Sequence, residues 1–346
     1  MAETTRAAVI HAPHDLRIEA LPVPDVGPEE VRVRVRAGGI CGSDLHYFHA
    51  GGFGTVRIRE PMVLGHEVAG VVEAVGAAVT HVRPGDPVAV NPSLPCGHCR
   101  FCRAGMANHC LDMRFYGSAM RFPHVQGGFR EVLVCHASQA VPADMPAERA
   151  AFAEPLAVCL HAVRQAGPLL GARVLVTGAG PIGALCLLAA RHAGAREVVA
   201  TDLADAPLAM AQRLGADAAL NLRTDPQALA PYAADKGMFD AVFECSGSGA
   251  ALAGAIPVAR PGAVIVQVGL GGAETAVPLN AIVAKEITLR GTFRFHEEFA
   301  LAVDVLARGA IDVAPLLTAT LPLAEAPAAF ALASDRGRAM KVQLAF

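Results

Sequence analysis

The sequence predicts an α/β chain of two domains, one strand-rich and metal-holding, the other built of parallel strands alternating with helices. Three observations carry this reading. Cys96, Cys99, Cys102 and Cys110 form a C-x2-C-x2-C-x7-C run among short strands and turns. Gly178, Gly180 and Gly183 form a G-x-G-x-x-G run directly after the short apolar segment Val174-Leu175-Val176. The length, 346 residues, suits about two domains.

The elements follow in order. Val31, Val33 and Val35 alternate with Arg32, Arg34 and Arg36, the period-two pattern of a half-exposed strand. Val68 to Val75 and Val88 to Val90 are further strands, with Pro84-Gly85-Asp86-Pro87 as the turn between them. The texture changes after Pro146. A strand at Val174 to Val176 runs into the glycine motif, and a helix is predicted from Pro181 to His192. The next strand, Val198 to Ala200, ends at Asp202. Helices over 205–214 and 249–259 alternate with strands at 241–243 and 264–266, the rhythm of a parallel sheet. After about residue 288 the rhythm changes again, with a helix near 297–308 and a last strand from Val342 to Leu344. The expected domains are 1–152, 153–290, and 291–346 returning to the first, so that the second is an insertion.

Composition narrows the function. Hydrophobic residues make up 53% and charged residues 18%, with a net charge of −3. No basic block or acidic tail is present, which argues against a nucleic-acid partner. Met1-Ala-Glu-Thr-Thr-Arg6 lacks the apolar stretch of a signal peptide, and no run of about 18 apolar residues predicts a membrane span. A cytoplasmic protein with no membrane partner is expected. Nine cysteines, several in one tight run, suit thiolates on metal in a reducing compartment better than a disulfide framework.

Two ligand sets differ in spacing. Four thiolates as close as Cys96, Cys99, Cys102 and Cys110 surround one Zn²⁺ tetrahedrally and leave no open position. The alternative, core thiols or disulfides, fits poorly with the polar neighbours Gly97, His98, Arg100, Arg103 and Asn108. His98 and His109 are rival ligands. Cys135, Cys159, Cys186 and Cys245 lie among apolar residues and are expected as packing thiols. Upstream, Cys41 and the pair His66-Glu67 offer a thiolate, an imidazole and a carboxylate, the mixed set of a zinc site that stays open to substrate. The bland alternative for His66 is a structural histidine. Glu154 stands alone in the apolar run Ala150-Ala-Phe-Ala-Glu154-Pro-Leu-Ala. It needs a partner there, either a metal or the amino end of a helix.

The glycine run is read as a dinucleotide fingerprint because it follows a strand, opens a helix and has an acid at the end of the next strand. Gly178 makes the turn, Gly180 admits the pyrophosphate and Gly183 allows close packing, with Pro181 and Ile182 between them. Asp202, 19 residues past Gly183, would accept from the ribose hydroxyls and repel a 2′-phosphate. No Arg or Lys lies between Asp202 and Gln212, so NAD is expected in preference to NADP.

Taken together, Cys41-Gly-Ser-Asp-Leu-His46, Gly65-His66-Glu67, the four-cysteine loop and Gly178 to Gly183 resemble the medium-chain zinc-dependent dehydrogenase/reductase family. The likeness runs along essentially the whole chain. Glu154-Pro-Leu-Ala resembles its polyol-dehydrogenase branch, in which a glutamate replaces a third cysteine ligand. The resemblance implies a GroES-like β-rich catalytic domain and a Rossmann-type parallel-sheet nucleotide-binding domain. It implies two Zn²⁺ per chain, the catalytic one on Cys41, His66 and Glu154 with Glu67 as alternate ligand. Ser43 and His46 match the family's proton relay. Tyr47 and Arg294 match positions lining the polyol pocket, and Arg114 is a second candidate for a substrate carboxylate. Val268, Thr292 and Phe293 are expected to join the nucleotide site. Pro207 departs from an arginine that sorbitol dehydrogenases often carry there. A homo-oligomer, dimer or tetramer, is implied.

The expected partner is a small sugar acid or polyol. Asn91-Pro-Ser-Leu-Pro-Cys96, Asp112 to Met120 and Gly291-Thr-Phe-Arg-Phe resemble those members of the branch that act on sugar acids, and the resemblance implies oxidation of L-idonate at carbon 5. Sorbitol or xylitol, and then L-threonine, are the alternative substrates. A non-catalytic NAD-binding protein is the alternative of another class, opposed by the intact Cys41, Ser43, His46, His66 and Glu154.

Overall fold

The computed structural model describes residues 3–272 and 274–346, which form two compact units. The first takes the chain up to Glu154, then Phe299–Asp335 and Lys341–Phe346; the second takes Pro155–Glu298 and Arg336–Met340.

The first unit opens with β1 (Thr4–Ala12) and β2 (Asp15–Pro22), an antiparallel pair. Next comes β3 (Glu30–Gly39), the hub of this unit. Its Val31, Val33 and Val35 are fully buried, each stabilising by about 1.5–3 kcal/mol relative to exposure. The intervening Arg32 and Arg34 reach Glu73 on the neighbouring strand. Helix α1 (Gly42–Ala50) follows directly, and then β4 (Glu67–Val75) and β5 (Pro87–Val90). Strands β6 (Val132–His136) and β7 (Ala140–Pro142) complete this stretch before helix α2 (Ala153–Ala166). The sheet runs β7-β5-β4-β3, with β6 on the other edge of β3.

The second unit carries β8 (Arg173–Thr177), α3 (Pro181–His192), β9 (Glu197–Asp202), α4 (Asp205–Arg213) and β10 (Ala218–Asn221). It continues with β11 (Phe239–Glu244), α5 (Gly249–Val258), β12 (Ala259–Gln267), α6 (Leu279–Lys285) and β13 (Thr288–Gly291). Every neighbouring pair is parallel, in the order β10-β9-β8-β11-β12-β13. That is the doubly wound order, with its switch between β8 and β11. Leu175, Val199, Phe239, Val242 and Ile265 form the core on this sheet.

Two strands here went unread in the sequence, for a physical reason. β10 is only half-buried, and β13 is exposed at every residue, so neither carries the apolar run that marks a buried parallel strand. β13 therefore extends the parallel sheet past residue 288, where the sequence predicts a change of rhythm.

The chain then forms α7 (Glu298–Ala307), β14 (Leu317–Pro322), α8 (Ala326–Ser334) and β15 (Lys341–Ala345). β15 pairs antiparallel with β3 through Gln343↔Gly39, Leu344↔Gly38 and Ala345↔Ala37. This last strand carries Lys341 into the interior of the first unit, where it is 4% exposed.

Candidate active site

The four-cysteine loop is held by its own backbone. Cys99 caps a single helical turn over Arg100–Arg103, and Cys110 follows a tight turn over Ala107–His109. The four sulfurs lie within 4.8 Å of one another, with Cys99 and Cys102 Sγ 3.6 Å apart. The Cys99 N–H donates to Cys96 Sγ at 3.4 Å, and the Cys102 N–H to Cys99 Sγ at 3.5 Å. Cys96 and Asp112 donate theirs to Cys110 Sγ at 3.2 and 3.3 Å. Backbone donors, that of Cys102 first, pull the Cys99 thiol down to about 6. Thiolates packed this closely repel unless a cation lies among them, and four sulfurs suit a tetrahedral Zn²⁺. His98 bonds the Cys96 carbonyl and His109 packs against Phe101, so neither joins the group.

The second set is built around the start of α1. Cys41 is its N-cap, and Asp44, in the first turn, is fully buried. Asp44 Oδ2 accepts the Cys41 N–H at 3.0 Å, and Oδ1 accepts the Gly65 N–H at 3.2 Å while lying 3.7 Å from His66 Nδ1. One carboxylate thus pins the two segments that carry Cys41 and His66. Gly65 sits at φ +92, and a Cβ there would meet the Phe129 ring at 2.1 Å, so only glycine permits this approach. Ligand atoms of Cys41, His66 and Glu67 all fall within 4.8 Å of one another. Glu154, in the first turn of α2, is also buried but lies outside that group. It reaches the others electrostatically.

Lys341 completes the set and was not anticipated. Its Nζ donates to both Glu67 oxygens at 2.8 Å and to the Ile40 carbonyl at 3.2 Å. The available signal was a lysine, one of three in the chain, opening the apolar strand Lys341-Val-Gln-Leu-Ala. Burial alone would strip its proton, but the charges of Glu67 and Cys41 hold it above its ordinary value.

The electrostatics ask for a further cation. Burial, and then the Glu67 carboxylate, pushes the Cys41 thiol up to about 12. Burial likewise pushes Glu154 up to about 8, opposed chiefly by His66. Three acidic groups therefore share one lysine in a dry site. His66 Nδ1 is also buried without a hydrogen-bond partner. A sulfur, a nitrogen and carboxylate oxygens are the donor chemistry of zinc, and these residues fit it.

The nucleotide fingerprint in the second unit fits a dinucleotide. Gly178 takes φ +84, and a Cβ on it would meet Ser246 at 2.8 Å. A Cβ on Gly183 would lie 1.8 Å from the Gly178 carbonyl oxygen, whereas Gly180 faces open space. Pro181 begins α3, with Ile182 after it, leaving the helix amino end as an anion-binding position. Asp202 accepts the N–H groups of Ala179, Leu203 and Ala204 at 2.8, 2.7 and 3.0 Å, which locks it beside the glycine turn. Pro207 is buried within α4. The Val268 N–H donates to the Glu244 carbonyl at 2.8 Å. The Thr292 N–H donates to the Gln267 carbonyl at 3.2 Å, while its Oγ1 is buried without a partner. Phe293 is exposed, and the Arg294 guanidinium stands 5.0 Å from its ring.

The remaining candidates are dispersed. The Ser43 hydroxyl draws the Cys41 thiol down slightly, and no Ser43–His46 hydrogen bond occurs among the described residues. His46 is exposed, with its ring 5.9 Å from that of Phe53. The Tyr47 ring is buried and its hydroxyl accepts the Ala119 N–H at 2.9 Å. Arg114 is exposed, while the next residue, Phe115, packs its ring 5.6 Å from that of His66. Cys135, Cys159 and Cys186, expected as packing thiols, are buried, and Cys245 is half-buried.

Comparison with known proteins agrees with this geometry. Residues 27–146 match the alcohol dehydrogenase GroES-like domain, and residues 181–308 match the zinc-binding dehydrogenase domain. The chain is 46% identical over 316 residues to L-idonate 5-dehydrogenase (NAD(P)(+)) of Escherichia coli (strain K12), covering 91% of each. It is 38% identical over 347 residues to sorbitol dehydrogenase of Homo sapiens, covering 97% of this chain and 94% of that one. The crystal structure of the Escherichia coli L-idonate 5-dehydrogenase superposes with a TM-score of 0.94 and 42% identity, covering 100% of this chain and 99% of the other. With a GroES-like unit, a doubly wound parallel sheet and these relatives along its whole length, the chain belongs to the zinc-dependent medium-chain dehydrogenase family, as an enzyme of its polyol-dehydrogenase branch.

Proposed function

We propose that this enzyme oxidises a secondary alcohol of a sugar acid, L-idonate to 5-keto-D-gluconate, with NAD as acceptor. The observation that carries the chemistry is the buried convergence of Cys41, His66 and Glu67, with Glu154 coupled to it. Likeness to L-idonate 5-dehydrogenase over most of the chain supports the substrate. Cys41, His66 and Glu154 would hold the catalytic zinc, and Cys96, Cys99, Cys102 and Cys110 the structural one. When bound, zinc supplies Lewis acidity that lowers the pKa of an alcohol, and NAD supplies the two-electron oxidant.

The chain's own residues do the rest. Asp44 fixes the backbone of Cys41 and Gly65, so the ligands are set before substrate arrives. Lys341 occupies both oxygens of Glu67, which leaves Glu154 as the carboxylate for the metal and Glu67 as the alternate. The proton of the substrate hydroxyl leaves to solvent by way of Ser43 and the exposed His46, which share no direct hydrogen bond. Asp202 holds the adenosine ribose and repels a 2′-phosphate, favouring NAD; Gly178, Gly180, Pro181, Ile182 and Gly183 receive the pyrophosphate, and Val268, Thr292 and Phe293 the nicotinamide half. Tyr47 lines the substrate pocket, and Arg294, or else Arg114, binds the carboxylate.

We read the enzyme as a homo-oligomer, dimer or tetramer. The exposed β13 edge supports this, with Leu289 41%, Leu279 66% and Val283 68% exposed nearby in the chain.

A panel of L-idonate, 5-ketogluconate, sorbitol, xylitol and threonine, each with NAD and NADP, tests the assignment. L-Idonate with NAD is expected to give the highest kcat/KM. Arg294→Lys should lower it roughly tenfold on L-idonate and less on sorbitol, which has no carboxylate. A wild type that prefers sorbitol returns the assignment to a neutral polyol, and equal use of NADP overturns the reading of Asp202.

A further inference from the structure

The parallel sheet ends in a carboxylate that the glycine fingerprint does not use. Glu244, the last residue of β11, is 0% exposed. Thr177 Oγ1 donates to its Oε1 at 3.2 Å, and the Ser246 N–H does so at 2.9 Å, joined by the Ser246 hydroxyl. Its Oε2 accepts the Gly247 N–H at 3.0 Å and the Gln267 side-chain amide. Both oxygens accept N–H donors, and all these partners are neutral. A buried charge answered only by neutral groups is costly, and an apolar side chain would fill the space without that cost.

Its position suggests what the charge is for. Thr177, Glu244 and Gln267 end β8, β11 and β12, three neighbouring strands at the switch point. The turn held by the carboxylate presses on the fingerprint, since a Cβ on Gly178 would meet Ser246 at 2.8 Å. In this strand order the first half of the sheet, through Asp202, takes the adenosine, and the half beginning at β11 takes the second nucleotide. For NAD that is nicotinamide, a cation when oxidised and neutral when reduced.

We propose that the buried Glu244 carboxylate sets the relative affinity of this enzyme for the two redox forms of its cofactor, favouring NAD⁺ over NADH. At an effective dielectric of about 20, one fixed charge still changes an equilibrium involving a second charge roughly tenfold across several ångströms. Buried groups are screened little by salt, so the bias persists at high ionic strength. The inference rests on the second unit being the dinucleotide site.

The test is the dissociation constant of NAD⁺ and of NADH, each measured by titration calorimetry on the full chain. Glu244→Gln is expected to weaken NAD⁺ relative to NADH by about tenfold, in low salt and in about 0.5 M salt. A residue that merely supports the turn would weaken both forms together, and an unchanged ratio overturns the proposal. Should Glu244→Gln fail to fold, Gln267→Lys keeps the carboxylate and its backbone donors while setting an ammonium beside it. The same shift is expected there, and an unchanged ratio overturns the proposal equally. A wild type that binds neither form refutes the dinucleotide site itself; binding of both with no change in ratio refutes only the role of Glu244.

Discussion

At the scale of single residues, Lys341 and Glu67 show how a dry site constrains its charges. Each is almost wholly inaccessible, and the ammonium bridges both carboxylate oxygens at 2.8 Å. Removing one partner strands the other, which typically costs about 3–5 kcal/mol. Lys341→Met should lower stability in urea unfolding by about that amount, and Lys341→Met with Glu67→Gln should recover most of it. No recovery in the double variant would show that the loss was one of packing. Glycines of the fingerprint are constrained as tightly by shape. Gly183→Ala would set a methyl 1.8 Å from the Gly178 carbonyl oxygen. Relief requires the turn to move, at about 1–3 kcal/mol, so NADH should bind roughly tenfold more weakly in a fluorescence titration.

At the scale of elements, helix α2 is tied near its middle to the first residue of α7. Glu298, with its side chain 3% exposed, lies 3.1 Å from His161 and accepts from Arg164 at 2.8 Å and from the His296 N–H at 2.8 Å. Burial alone would raise its pKa, but the bonds from His161 and the His296 N–H outweigh it and hold the carboxyl down at about 2. A carboxyl depressed in the folded state adds stability above its unfolded pKa, and that share is lost as pH falls toward the folded value. Because Arg164 is well exposed and its part is screened, about 2 kcal/mol is a fair magnitude. Wild type should therefore exceed Glu298→Gln by about 2 kcal/mol at pH 7 in denaturant titrations. The gap should narrow between about pH 4.5 and 2. A gap independent of pH would mean that the charge contributes nothing.

For the whole molecule, the two ligand sets predict two separable zinc dependences. Structural zinc contributes folding free energy directly, so Cys99→Ser should lower Tm markedly and release one ion per chain. Cys41→Ser should abolish turnover and release the other ion while Tm changes little. Metal analysis of the fully active wild type should give about two zinc ions per chain, and one or fewer would refute the two-site reading. No helix among the described residues is long and apolar enough to cross a membrane.

Local chemistry wrote much of this into the sequence. The C-x2-C-x2-C-x7-C spacing brings four sulfurs together within one loop, so no distant contact is needed to recognise it. The fingerprint is likewise local: strand, glycine turn and helix are consecutive, and α3 spans Pro181–His192 as predicted. Tertiary structure decided what depends on residues far apart in the chain. Lys341 meets Glu67 only because β15 pairs with β3, across 274 positions of sequence. Glu244 became visible as a buried acid only when three strand ends converged on it. The exposed β13 escaped notice because hydrogen bonding to a neighbouring strand, rather than apolar burial, makes it a strand. Hydrophobic period and ligand spacing report what a segment does alone; pairing of distant strands decides which charges must share one dry space.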